Sequence, residues 1–241
     1  MDLSRAREYE WNGRVGPFTI MLTDGVFEPT HTSREVAEGL NINPGETVID
    51  VGCGSGVLSF VAARLGAGKV YGTDVNPEGV EFARWNADRL GLGDVVDVRE
   101  GSLFEPLVGV KADVVIGDVS GVPDDIAAVS GWFPGGFSGG PTGSEVPVAM
   151  LQAAEAHLVP GGRLYLPTGS IQDETAVLAA ARKIFDDRMQ QLRERLLPLP
   201  TKIGESAVVR ALMESGVVRL IRRGSRLLWR LRVWECTLPP A

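Results

Sequence analysis

The sequence predicts an α/β fold of the doubly wound, Rossmann-like kind: a seven-stranded sheet, mostly parallel, with an antiparallel C-terminal hairpin. Three observations predict it. β-rich and helical runs alternate from residue 46 to 117, and strands separated by single helices pair in parallel with helices on both faces. The loop Gly52-Cys53-Gly54-Ser55-Gly56 joins the first run to its helix. Asp50, Asp74, Ser102 and Asp118 fall at or just past strand ends, the edge where ligands of such sheets bind.

The elements follow in order. Asn12-Gly13 and Asp24-Gly25 are turn signals among β-prone residues and predict a hairpin over 9–28, laid across the mouth of the site. Pro29-Thr30-His31-Thr32-Ser33 leads into a helix ending near Leu40, with Thr32 or Ser33 placed to cap it. Strands are expected over 46–51, 69–74, 95–100 and 112–117, and helices over 57–65 and 78–90. The glycine-rich stretch 131–145, interrupted by aromatics, reads as a lid or binding loop. A helix over 146–158, a turn at Val159-Pro160-Gly161-Gly162 and a strand over 163–168 come next. The tail reads as a helix over 173–187, a strand near 192–198 and an apolar helix near 205–215. It closes on a β-rich hairpin ending at 229–236. Apolar and arginine positions alternate there, as in an edge hairpin with one buried face.

Composition excludes several classes. Hydrophobic content of 44% and charge of 23% suit a folded globular protein rather than a disordered or membrane one. No run approaches eighteen apolar residues, and Met1-Asp2-Leu3-Ser4-Arg5-Ala6-Arg7 lacks a signal-peptide core. The expectation is a cytoplasmic protein with no membrane partner. The two cysteines, Cys53 and Cys236, are too far apart for metal-ligand spacing, so both are expected to be reduced and structural, with no metal. The net charge of −7 is uneven: residues 1–181 hold 11 Lys/Arg against 25 Asp/Glu (−14), and 182–241 hold 13 against 6 (+7). A basic tail would suit an anionic partner. Its arginines also fit a solvated sheet face, the preferred reading, so a nucleic-acid partner is disfavoured.

The loop chemistry points to a ligand. A dinucleotide loop reads Gly-x-Gly-x-x-Gly and sets a pyrophosphate on the helix N-terminus. Here the pattern is Gly-x-Gly-x-Gly with Asp50 two residues ahead. A carboxylate there repels phosphate and suits an ammonium. Asp74, eighteen residues past Gly56, is placed to take ribose hydroxyls, with Val75 and Asn76 following it.

With these landmarks the chain resembles the class I S-adenosylmethionine-dependent methyltransferases, whose first motif has this form. The stretch Gly140 to Leu166, with Val26-Phe27-Glu28-Pro29 upstream, resembles the release-factor glutamine methyltransferases. The likeness spans roughly 26–168. It implies S-adenosyl-L-methionine as cofactor, with Ser33 supplying a contact hydroxyl. Asp50 would meet the methionine ammonium. Gly52, Cys53, Gly54 and Gly56 would lie along the sulfonium side, Asp74 on the ribose, and Ser102 and Leu103 at the adenine. For Ser102, a plain loop residue is the competing reading. Where that family reads Asn/Asp-Pro-Pro-Tyr, this chain reads Asp118-Val119-Ser120-Gly121. Asp118 would hold or deprotonate the nucleophile and is also expected among the cofactor-binding residues, and His31 is a second catalytic candidate or a surface or capping residue. His157 is explained by the helix dipole alone.

The chain is thus expected to be one domain over 1–241: an N-terminal hairpin or lid (1–32), a cofactor-binding core (33–168), and C-terminal helices and hairpin (169–241). The expected function is methyl transfer to an oxygen or nitrogen of a small molecule or peptide. A protein or RNA amine acceptor is the alternative, and a non-catalytic nucleoside-binding protein a third reading. Oligomeric state stays open, a homodimer included.

Overall fold

Runs of β-branched residues make strands, and four such runs build the centre of this molecule, the middle two (47–51 and 112–116) buried on both faces and the outer two alternating. They are β3 (Thr47–Val51), β4 (Lys69–Asp74), β5 (Val96–Glu100) and β6 (Ala112–Ile116), preceded by the hairpin β1 (Arg7–Trp11) and β2 (Phe18–Leu22). The helices among them are α1 (His31–Gly39), α2 (Val57–Leu65), α3 (Pro77–Arg89) and α4 (Asp124–Ser130). Then come α5 (Glu145–Ala154), β7 (Leu158–Gly169), α6 (Glu174–Phe185) and β8 (Met189–Pro198). The chain closes with α7 (Thr201–Gly204), α8 (Ala207–Glu214), β9 (Ile221–Arg223) and β10 (Arg226–Thr237). This computed structural model describes residues 3–133 and 137–240.

The main sheet has the order β5-β4-β3-β6-β7-β10-β8. β3, β4, β5, β6 and β7 are parallel, and β10 runs antiparallel to both β7 and β8. From β3 the chain winds outward to β4 and β5, then returns to β6 on the other side. That reversal opens a crevice at the carboxyl ends of β3 and β6, the place where such sheets bind ligands.

One sheet face packs on α1, α2, α3 and the N-terminal hairpin through Trp11, Phe18, Ile20, Val36, Phe60 and Phe82. The other packs on α5 and α6 through Ile49, Val115, Met150, Leu151, Val177 and Phe185. A third, smaller core joins α4, α7 and α8 to the tail through Ile126, Ile171, Leu199, Ile203, Val209 and Val218. No helix among the described residues is long and apolar enough to cross a membrane.

The doubly wound sheet and the antiparallel C-terminal hairpin match the sequence reading, and four details differ. Seven strands form the continuous path, but β9 adds an eighth by pairing with β10. β10 is not at an edge: it lies between β7 and β8, and its residues 231, 233 and 236 are buried, so the arginine side faces α6 and β8 carboxylates rather than open solvent.

The N-terminal hairpin does not lie across the mouth. Trp11, Phe18 and Ile20 draw it onto α2 and α3, where the buried Asn86 side chain takes both the N–H and the C=O of Met21 at 2.8 Å. Only the segment after β2 reaches the crevice. Finally, α1 starts at His31 and is capped by Thr30, not by Thr32 or Ser33. The expected lid, 131–145, runs between α4 and α5, and residues 134–136 of it lie outside the described residues.

Candidate active site

The three loop glycines all sit in the left-handed region, Gly52 at φ 69°, Gly54 at 52° and Gly56 at 85°, which costs an L side chain about 1–2 kcal/mol. The turn is therefore dictated by glycine. Its amides are fixed by neighbours: Cys53 N–H donates to Thr73 O at 2.9 Å, and Gly54 N–H to Asp74 Oδ2 at 2.7 Å. Asp74 Oδ1 accepts from Asn76 N–H at 2.8 Å. Both oxygens of Asp74, the residue expected on the ribose, thus anchor the loop. Asn76 caps α3 and donates from Nδ2 to Gly25 O at 2.8 Å. Val75, between them, is 44% exposed.

Asp50, at the end of β3, is only 1% exposed. Its Oδ2 accepts from Ser59 Oγ on α2 at 2.6 Å. Burial pushes its pKa up to about 7; the Ser59 bond opposes the rise, and the charges of Asp118 and Asp74 add to it. Burial also raises Asp74. Asp118, just past β6, rises to about 6 through desolvation, although the Ser33 hydroxyl bonds to it and draws it back. Part of Asp118 remains open to solvent, so it lies in the wall of the crevice, whereas Asp50 is behind the loop. Three carboxyl groups held near one another, each resisting ionisation, form a site that gains from a positive ligand.

Ser33 is buried on the first turn of α1, where its Oγ also takes Thr30 N–H at 3.4 Å. His31 is exposed at the first position of that helix, so the structure brings Ser33 to Asp118 and leaves His31 at the surface. Ser102 is exposed beyond β5. Leu103 adopts φ 48°, held there because the buried Thr73 hydroxyl donates to its carbonyl at 2.7 Å. Strained backbone of this kind persists where neighbours enforce it. His157, outside the crevice, stacks on Phe104 at 4.6 Å and donates from Nδ1 to Val110 O at 3.0 Å, a fuller account than the helix dipole alone.

Sequence reasoning missed five contributors. Ser59 and Thr73 hold Asp50 and Leu103 from inside the core, and no spacing in the sequence announces either. Phe27 lies against Gly54, its Cβ 3.8 Å from where a Cβ at that position would be. It stacks on Phe133 with ring centroids 5.3 Å apart and planes at 8°. Together they roof the glycine loop. Thr23 Oγ1 donates to Glu78 Oε1 at 2.6 Å and pins the roof segment to α3. On the side of Asp118, Gly139 N–H donates to Val122 O at 2.8 Å and Asp124 N–H to Gly140 O at 3.0 Å, tying residues 137–143 to the loop after Asp118.

The cofactor named by the resemblance fits this chemistry. Carboxylates face the crevice, the glycine loop brings no cation for a phosphate, and side chains at Gly52 or Gly54 would fill the space against Val119 or Phe27.

Comparison with known proteins agrees. Residues 25–120 match the family model described as Ribosomal protein L11 methyltransferase (PrmA). A ribosomal protein L11 methyltransferase of Pelotomaculum thermopropionicum is 46% identical over 87 residues, 36% of this chain and 27% of that protein. A release factor glutamine methyltransferase of Moorella thermoacetica is 31% identical over 184 residues, covering 71% of this chain and 64% of its own. The chain thus spans about a quarter to under two thirds of these relatives. Among solved structures, a T. thermophilus 16S rRNA N2 G1207 methyltransferase (RsmC) in complex with AdoMet and guanosine shares the fold. Its TM-score is 0.62 at 17% identity, with 97% of this chain and 50% of that one covered.

Proposed function

We propose, from the chain's place among the class I S-adenosylmethionine-dependent methyltransferases, that it transfers a methyl group to an oxygen or nitrogen nucleophile of a small molecule or peptide. One observation carries this reading: Asp50, Asp74 and Asp118 converge around a left-handed glycine loop that offers no cation to a phosphate. Asp50 and the loop would hold the amino-acid end of the cofactor, Asp74 the ribose, and Ser102 and Leu103 the adenine. When bound, the cofactor supplies an electrophilic methyl on a sulfonium.

The chain's own task is then placement. Holding nucleophile and methyl in line at near-attack distance supplies much of the rate. Asp118 accepts a hydrogen bond from the acceptor N–H or O–H, and with its pKa near 6 it takes the released proton at neutral pH. Phe27 and Phe133 exclude water from the loop.

A second reading places the acceptor amine on a protein or an RNA. The Moorella thermoacetica relative, named for release factor glutamine, favours it over the longest shared stretch. Asp118→Ala tests the core of both readings. Titration calorimetry is expected to show S-adenosylmethionine binding within a few-fold of wild type, while methyl transfer from labelled cofactor into fractionated cell extract disappears. Equal loss of binding would make Asp118 a cofactor residue, and tighter binding of NAD than of S-adenosylmethionine would end the assignment.

A further inference from the structure

The arginines of the tail divide into two sets. Those on β8 and in the interior part of β10 are paired with carboxylates. Arg193 and Arg195 share Glu35 at 2.9 and 2.7 Å, Arg232 meets Glu174 and Glu194 at 3.1 and 3.2 Å, and Arg230 lies 3.7 Å from Glu194. Arg219, Arg222, Arg223 and Arg226 are exposed, and none forms an ion pair with the described residues. Residues 199–228 hold six Lys/Arg against Glu205 and Glu214, a net +4. Arg223 and Arg226 stand directly opposite each other across the Gly224-Ser225 turn. Like charges in that register destabilise a hairpin, and no carboxylate among the described residues forms an ion pair with either.

The strand register says where this charge sits. Leu231 pairs with Gly169, the last residue of β7, and Leu228 pairs with Pro198, the last of β8. Because β10 runs antiparallel, residues 226–230 rise past the carboxyl end of β7, and β9 rises with them. The base of this arm is bound to the loop after β7: Arg219 N–H donates to Ser170 O at 2.7 Å and Ser170 N–H to Arg230 O at 2.8 Å. That loop touches the acceptor side, since the Gln172 amide occupies the space a side chain at Gly121 would need. Phe137 is 43% exposed in the segment bonded to residues 122–124.

We propose that the β9–β10 hairpin is a docking arm for single-stranded RNA, which carries the methyl acceptor to the crevice beside Asp118. This rests on the methyltransferase reading and, of the acceptors weighed above, takes the RNA of the second reading in place of a small molecule or peptide. Guanidinium forks suit phosphates, and an exposed ring beside the acceptor loop gives an unstacked base a platform, replacing the aromatic absent from Asp118-Val119-Ser120-Gly121. The chain's net charge of −7 does not forbid this, because charges more than about 8 Å away are largely screened at physiological ionic strength.

The test is fluorescence anisotropy with a labelled single-stranded RNA of about 12 nucleotides, on the full chain, with titration calorimetry of S-adenosylmethionine run in parallel. Four phosphate contacts give a log–log salt slope of about −2.8, so affinity is expected to fall about 50-fold from 50 to 200 mM salt. In R222A/R223A/R226A one contact remains, and that loss shrinks to about 3-fold. The Lys triple variant keeps most of the binding. Cofactor binding by the Ala variant stays at the wild-type level, which shows the fold intact. No RNA binding at 50 mM salt, or binding indifferent to the Ala variant, overturns the proposal. So does binding of polyglutamate or of anionic phosphatidylserine vesicles through these arginines in place of RNA. If S-adenosylmethionine itself fails to bind, it is the methyltransferase reading that falls.

Discussion

Replacing Asp50 by Asn separates the cost of a buried charge from its use. The wild-type carboxyl, 1% exposed, has its pKa raised from 3.8 to about 7, chiefly by burial. Its folded pKa lies above its unfolded one, so the native state binds the proton more tightly. Stability is then greatest below pH 4 and falls as pH rises toward 7. At 1.36 kcal/mol per pKa unit the full loss is about 4 kcal/mol. Between pH 5 and pH 8 the part still to be lost is about 2 to 3 kcal/mol. Asparagine keeps the shape and a hydrogen bond to Ser59 without the charge. Urea unfolding of both proteins at pH 5 and pH 8 reads the effect as a double difference, in which titrating groups not coupled to Asp50 cancel. The variant is expected to gain about 2 to 3 kcal/mol on wild type across that interval. The same substitution is expected to weaken S-adenosylmethionine binding about 10- to 100-fold at pH 8, the worth of a hydrogen bond to a charged partner. A stability difference that is equal at the two pH values, or that favours wild type at pH 8, would refute the reasoning.

Two further outcomes follow from the loop. Gly56→Ala adds a Cβ at φ 85° and places it 2.5 Å from Cζ of the fully buried Phe60; left-handed strain plus overpacking gives a loss of about 2 to 4 kcal/mol by urea unfolding. Thr73→Val keeps the volume but removes the 2.7 Å bond to Leu103 O; it is expected to cost about 1 to 2 kcal/mol and to weaken binding of adenosine and of S-adenosylmethionine alike by calorimetry. If it weakens only the latter, Leu103 does not border the adenine.

The sequence carried the sheet and its crevice. The β-branched runs, the helices between them and the Gly52-Gly54-Gly56 spacing are local patterns with periods of two and 3.6 residues, and such patterns decide where strands end. The positions of Asp50, Asp74 and Asp118 at the strand ends follow from those boundaries. The tail was less legible. Alternating arginine and apolar residues look the same on an edge strand and on an interior one, because strand periodicity says which face a side chain takes and nothing about neighbours. Only pairing of β10 with both β7 and β8 settled that, and with it which arginines meet Glu35, Glu174 and Glu194 and which stay exposed. Long-range contacts also decided that Trp11 and Phe18 pull the N-terminal hairpin onto α2 and α3, leaving Phe27 and Phe133 as the roof. Ser59 and Thr73 became supports of the site for the same reason: a buried hydroxyl takes whichever acceptor the fold brings within 3 Å, and that acceptor is nine residues away for one and thirty for the other.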